Sequence, residues 1–292
     1  MAQRPIEDAV LIAGPTASGK SALALEIARD TGGVVVNADS MQVYSVLRVV
    51  TARPSEADMA GVPHRLYGHV DPASAYSTGH WLRDVDALRD ELDGRTAIFV
   101  GGTGLYFRGL LDGLSAMPEV PDALRRAWRE RLAAEGAPAL HGLLSERDPR
   151  AGHRLRPSDG QRILRALEVL DVSGRSILDW QGDRGTPLVA STARRIVIEP
   201  DREVLAARIA SRIDRMGDEG AIAEVAALLA RSIPASMPAM KAIGVRELAE
   251  TQAGRVSLAQ AKERMAAATR RYAKRQSTWF RTQLDAGWDR RG

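Results

Sequence analysis

Val10-Leu11-Ile12-Ala13-Gly14-Pro15-Thr16-Ala17-Ser18-Gly19-Lys20-Ser21 is a short apolar run followed by the spacing G-x-x-x-x-G-K-S. The run reads as a buried parallel strand. Residues 21–28 read as a helix with Leu23 and Ile27 on one face. A strand, a glycine-rich turn and a helix N-terminus in that order form a phosphate-binding loop. Its backbone N–H groups point at a phosphate chain, Lys20 adds positive charge, and the Ser21 hydroxyl is placed to ligate Mg²⁺. Gly14, Pro15, Thr16, Ala17, Ser18, Gly19, Lys20 and Ser21 are therefore the candidate cradle for a polyphosphate.

Further apolar, β-rich runs lie at residues 34–36, 97–100 and 195–199, separated by helical stretches. That alternation predicts an α/β fold, a parallel sheet covered on both faces. Two of these runs end, like the first, in polar or glycine-rich turns: Asn37-Ala38-Asp39-Ser40 and Gly101-Gly102-Thr103-Gly104. Ligands of open α/β sheets bind beyond the C-terminal strand ends, so the three turns should converge on one site. Between residues 113 and 187 the character changes to charged, helix-periodic sequence, clearest at 123–134 and 159–172 and punctuated by prolines. The expected organisation is a P-loop NTPase-like core of residues 1–112 and 188–292, with an all-helical subdomain inserted at 113–187.

The chain has 292 residues and no cysteine, which excludes disulfides, thiolate zinc sites and a cysteine nucleophile. Its five histidines show no metal-ligand spacing. No run of apolar residues is long enough to span a membrane, and no apolar signal segment opens the chain, so a cytoplasmic enzyme is expected. Net charge is +4, and of 41 basic residues only Lys20, Lys241, Lys262 and Lys274 are lysine. The arginine excess fits either genomic codon bias or phosphate recognition by guanidinium forks; position decides between them.

Asp39 follows the second strand, where a carboxylate can take a proton from a nucleophile approaching the loop phosphate. The same position equally suits an Asp that caps a following helix. The glycines of 101–104 would let backbone approach a ligand closely, or simply make a tight turn. Arg208, Arg212 and Arg215 share a helix face opposite Leu205, Ile209 and Ile213. Such a stripe could neutralise a leaving diphosphate, and it is also what a solvated helix face looks like. In the last helix Arg264, Arg271, Lys274, Arg275 and Arg281 lie mostly on one face, with Tyr272 and Trp279 on another. That pattern suits RNA or, as readily, an amphipathic surface helix.

Taken in order, these segments resemble the tRNA dimethylallyltransferases, which prenylate adenosine 37 beside the anticodon. The resemblance runs from about Val10 to Arg281. It rests on 14–21 (GPTASGKS), 39–44 (DSMQVY), 51–54 (TARP), 63–66 (PHRL), 100–106 (VGGTGLY), 156–169 (RPSDGQRILRALEV), 242–247 (AIGVRE) and 272–281 (YAKRQSTWFR). A P-loop alone is shared with many NTPases; the ordered set is specific. The resemblance implies that the loop holds dimethylallyl diphosphate with Mg²⁺ rather than serving ATP hydrolysis. It gives Asp39 the proton-accepting role, and Thr16, Lys20 and one of Arg208 or Arg212 the leaving group. It places tRNA contacts, with the anticodon stem-loop as partner, at Asp39, Ser40, Met41 and Gln42, at Thr103, and at Gln161, Arg162, Ile163, Leu164 and Arg165. It also implies a monomer of the shorter, bacterial form without a zinc finger. Two departures fall in one loop: the family's I-G-T-A-K-P reads Val49-Val50-Thr51-Ala52-Arg53-Pro54, and His64 is followed by Arg65 rather than a second His. The rival readings are a small-molecule kinase, a prenyltransferase of free adenylate, and an NTP-gated RNA-binding protein.

Overall fold

Six strands form a single sheet: β1 (Ala9–Ala13), β2 (Val34–Asn37), β3 (His64–Arg65), β4 (Ala97–Gly101), β5 (Arg194–Ile198) and β6 (Asp289–Arg291). Their order is β3-β2-β4-β1-β5-β6, and every neighbouring pair is parallel. The computed structural model describes residues 4–92, 94–183 and 185–292. Every residue of β1, β2 and β4 is buried. This is why those strands read as unbroken apolar runs rather than as alternation: helices cover both faces. The β3 and β6 segments, His-Arg and Asp-Arg-Arg, are edge strands with no apolar run, and the sequence reading passes over both. Charged edge residues are how sheets discourage further pairing.

The register explains the convergence of the turns. Ala13 pairs with Gly101, and Asn37 with Val100. Gly14, Ala38 and Gly102 therefore leave the sheet side by side. The direction of the chain across the sheet also reverses around β1, with β4 on one side and β5 on the other. Such a reversal opens a crevice at the strand ends.

The chain divides into two compact units, Met1–Leu111 with Pro187–Gly292, and Asp112–Thr186. The first carries the sheet, the first helix (Lys20–Thr31), an arginine-bearing helix (Arg202–Asp218) and a closing helix (Leu258–Gln283). The second is helical. Its stretch Asp122–Arg147 is two helical runs broken at Gly136, whose φ of 82° and ψ of 162° lie outside the helix, with Pro138 just beyond. Trp128, Leu140, Leu144, Ile163 and Leu167 make that unit's own core. Among the described residues no helix is long and apolar enough to cross a membrane.

Candidate active site

The phosphate loop adopts the conformation its sequence demands. Gly19, at the helix N-terminus, has φ 97°, and Ala17 stands at φ 65°. Left-handed backbone is free for glycine but costs alanine about 1–2 kcal/mol. Strain held in an anion-binding turn is typical of a functional loop. Not every loop amide faces a ligand, however. Ser18 N–H donates to Pro15 O at 3.2 Å and Thr16 N–H donates to Gln276 Oε1 at 2.9 Å. The expectation that the loop amides all point inward is thus corrected for these two. Ala17 and Gly19 N–H have no acceptor among the described residues, and the amides of the first helical turn lie beside them.

Three cations surround this loop. Lys20 Nζ donates to Pro15 O at 3.1 Å. Arg208 donates to Ser18 O at 2.9 Å, and Arg212 to the Thr16 hydroxyl at 2.7 Å. The stripe on Arg202–Asp218 is therefore turned toward the loop, while Ile209, Ile213 and Met216 enter the core. Both arginines touch the loop. Of the two, Arg212 lines both of the cavities beside the loop. Burial pushes the Lys20 ammonium down to about 8, with Asp39 opposing and Arg212 adding to the shift. Burial likewise lowers Arg212 to about 10, Asp39 again opposing. Among the described residues none of the three cations has a carboxylate in ion-pair range. Lys20 and Arg212, desolvated without counter-ions, are unfavourable until an anion arrives, whereas Arg208 is exposed. Among the described residues the buried Ser18 hydroxyl also has no hydrogen-bond partner, and a ligand oxygen in the loop could satisfy it.

Asp39 does not cap a helix. Residues after it form bends and turns, and its Oδ1 accepts from Met41 N–H at 2.9 Å, closing a local turn. Asn37, fully buried, holds Asp39 from behind. Its side-chain oxygen accepts Asp39 N–H, and its amide donates to Asp39 O and Leu66 O. Trp81 Nε1–H donates to Asn37 O at 2.8 Å, and the indole stacks on Tyr106 with centroids 4.1 Å apart. Thr103 Oγ1 accepts Ser40 N–H at 2.9 Å.

A cavity of about 270 Å³ brings Thr16, Asp39, Ser40, Met41 and Arg212 together. Its other walls are apolar, from Val50, Ile209, Ile213 and Met265, with Tyr272, Lys241 and Arg275 beside them. A second, of about 360 Å³, carries Ser21, Arg48, Arg53 and Arg215 as well as Arg212. Gln42 lines neither, and its amide donates to Thr51 O and Ala52 O instead. The divergent loop is well tied: Arg53 donates to Tyr44 O and Ser45 O, and Glu224 accepts Val49 and Val50 N–H. Gln276, Asn37 and Glu224 were not assigned roles from sequence. Gln276 stood in a recognised block, and only tertiary pairing shows what it binds.

Two further expectations are corrected. The glycines of 101–104 do not open the turn to a ligand. A Cβ on Gly101 would overlap the Ala38 carbonyl, one on Gly102 the Gln276 amide, and one on Gly104 the Trp279 ring. The space they free is filled by the protein itself. In the helical unit, Ile163 and Leu164 are core residues, 0% and 8% exposed. Their side chains cannot meet a partner, whereas Gln161 and Arg162 are exposed on the first turn of Gly160–Ser173 and Arg165 lies 3.5 Å from Glu168.

Among the described residues no cluster of three or more His, Cys, Asp or Glu could hold an ion. Ser21, which lines the larger of these two cavities, offers a single hydroxyl ligand. This fits a hard cation bound mainly through substrate phosphate oxygens and water, as Mg²⁺ commonly is.

The chain is similar to known proteins over most of its length. The IPP transferase family matches residues 42–283, and the isopentenyl transferase family matches residues 7–71. A tRNA dimethylallyltransferase of Chelativorans sp. (strain BNC1) is 60% identical over 287 residues, covering 97% of this chain and 98% of that one. That of Mesorhizobium japonicum is 59% identical, covering 98% and 89%. The crystal structure of the tRNA isopentenylpyrophosphate transferase from Bacillus halodurans superposes with a TM-score of 0.69 at 33% identity, over 98% of this chain and 89% of that one. A eukaryotic dimethylallyltransferase acting on tRNA superposes with a TM-score of 0.78 at 26% identity, over 95% and 71%. With the loop, the carboxylate and the arginines all in place, the chain belongs to the IPP transferase family, alongside the tRNA dimethylallyltransferases.

Proposed function

We propose that this chain transfers the dimethylallyl group from dimethylallyl diphosphate to N6 of adenosine 37 in tRNA, releasing diphosphate. The observation that carries the proposal is the shared cavity. A phosphate loop with its arginine and a lone carboxylate face one another across an apolar wall. A kinase needs the first two; the apolar wall suits a branched five-carbon chain.

In this reading the C–O bond of the allylic diphosphate breaks as the N6–C bond forms. The N6 amine is a weak nucleophile, because its lone pair is delocalised into the ring. Asp39 orients it and takes its proton. Its Oδ2 has no hydrogen bond among the described residues and is available for this. Charge developing on the departing diphosphate meets Lys20, Arg212 and the loop amides, fixed before the reaction starts. Mg²⁺, held on Ser21 and the phosphate oxygens, would add further charge neutralisation when bound. The acceptor base must leave the anticodon stack to enter a cavity of this size. Gln161 and Arg162, exposed in the helical unit, suit contacts to a single-stranded loop. All named residues come from one chain, so the reading requires no second copy.

The test is transfer of radiolabelled dimethylallyl from its diphosphate to unmodified tRNA, with AMP, ATP and a tRNA bearing guanosine at position 37 as parallel acceptors. Label on the unmodified tRNA alone is the expected result. Label on AMP or ATP would make the chain a free-nucleotide prenyltransferase, and no label with ATP turnover would favour the kinase or RNA-clamp reading.

A further inference from the structure

The closing helix Leu258–Gln283 places one buried side chain between the two turns of the site. Gln276 is 6% exposed and has both ends of its amide occupied. Its Oε1 accepts Thr16 N–H at 2.9 Å, and its Nε2 donates to Gly102 O at 3.0 Å. Thr16 is the loop residue whose hydroxyl takes Arg212. Gly102 follows β4, and a Cβ there would lie 3.4 Å from Asp39 Oδ2 while overlapping the Gln276 amide. One turn further along, Trp279 fills the space beside Gly104 in the same way. Neighbouring strands alone leave loops at their ends free to splay; a buried amide bonded to both loops does not.

We infer that Gln276 is a positioning residue for prenyl transfer: by bonding Thr16 on one side and Gly102 on the other, it sets the distance between the diphosphate-holding loop and the Asp39 turn. This rests on the function proposed above. It touches no reacting atom; it acts through the two backbones. The sensitivity is large because displacing a reacting group by about 1 Å costs on the order of 10²-fold in rate. A side-chain amide is the group that serves, since one terminus must accept and the other donate.

The experiment uses the full chain with labelled dimethylallyl diphosphate and unmodified tRNA, in single-turnover and steady-state form. Gln276→Met keeps the volume and removes both hydrogen bonds. It should lower the single-turnover rate about 10–100-fold, with KM for tRNA changed less than about threefold. Gln276→Glu keeps an acceptor for Thr16 and loses the donor to Gly102. Its rate should be reduced at neutral pH and recover relative to wild type as acidification returns a proton to the carboxyl. Gly102→Ala approaches the same contact from the other side. It should slow transfer alone and add about twofold or less on the Gln276→Met background, since coupled residues are not additive. Should Gln276→Met not fold, the Glu and Gly102 variants decide. Rates within twofold of wild type in Gln276→Glu at all pH values, or full additivity of Gly102→Ala with Gln276→Met, would overturn the inference. A purely structural role would lower melting temperature and active fraction without changing the rate of the folded enzyme. Failure of wild-type transfer would instead refute the parent function, so the two failures are distinguishable.

Discussion

Two glycine-rich turns leave adjacent parallel strands of this sheet, and they do opposite things. The turn after β1 is strained at Ala17 and, among the described residues, is ringed by cations with no carboxylate in ion-pair range and holds a buried hydroxyl with no hydrogen-bond partner. The turn after β4 is unstrained and full: Ala38, Gln276 and Trp279 occupy the space its glycines vacate. Glycine permits close approach in both. What approaches differs, being an anion in one case and the protein's own chain in the other. Sequence composition cannot tell these apart. Positive φ, unsatisfied donors and uncompensated charge can.

The division assigns the leaving group to the first turn and makes the second a packed support for the neighbouring Asp39 turn, and substitutions can break it. Asp39→Ala should produce the largest effect. The chemical step should fall by about 10²–10⁴, the usual share of a positioned acid–base group, while binding of inorganic diphosphate stays within a few-fold. Single-turnover kinetics beside calorimetric titration separate the two quantities. Arg212→Ala should follow with a loss of about 10²–10³ in kcat, comparable to removing a preorganised donor to developing charge. Arg208→Ala should cost less, because Arg208 is exposed and holds only the Ser18 carbonyl. Steady-state kinetics of the pair tests that ranking.

Gly101→Ala sharpens the contrast from the other turn. The added methyl would meet the Ala38 carbonyl, a rigid group. Overpacking of this kind costs about 1–3 kcal/mol, and it should appear in urea unfolding together with slower transfer and unaltered diphosphate affinity. The smallest effect is one of pH. Burial depresses Lys20 from 10.5 to about 8. Between those values the folded, ligand-free chain has released a proton that the unfolded chain still holds, so this residue's contribution makes stability rise with pH across that window. A bound diphosphate favours the charged ammonium. Its affinity should therefore weaken as pH climbs past 8, by at most about tenfold per unit, and Lys20→Met should flatten that dependence in a titration series.

Much of this was readable in advance. The strands at 10–13, 34–36, 97–100 and 195–199 differ from β1, β2, β4 and β5 by a residue at their ends, and for β1, β2 and β4 the reason is that burial on both faces forces apolar runs. The loop and Asp39 were readable because phosphate binding at a strand–helix junction constrains residue type and spacing together. The two edge strands were not, since His-Arg and Asp-Arg-Arg gain their conformation from the neighbouring strand alone. The roles of Gln276, Asn37 and Glu224 are hidden for a related reason: each bonds to backbone N–H or C=O groups, which leave no mark in a sequence. Ile163 and Leu164 could have been excluded from the surface. With Leu167 they form the apolar face of Gly160–Ser173 at helical spacing, so the contiguous block 161–165 spans a buried and an exposed face.

The most direct measurement is the change in backbone amide shifts on titrating the protein with inorganic diphosphate. The account predicts large shifts at Ala17, Gly19, Lys20 and Ser21, and small ones at Gly101, Gly102 and Gly104. Equal shifts in both turns, or shifts confined to 101–104, would contradict it.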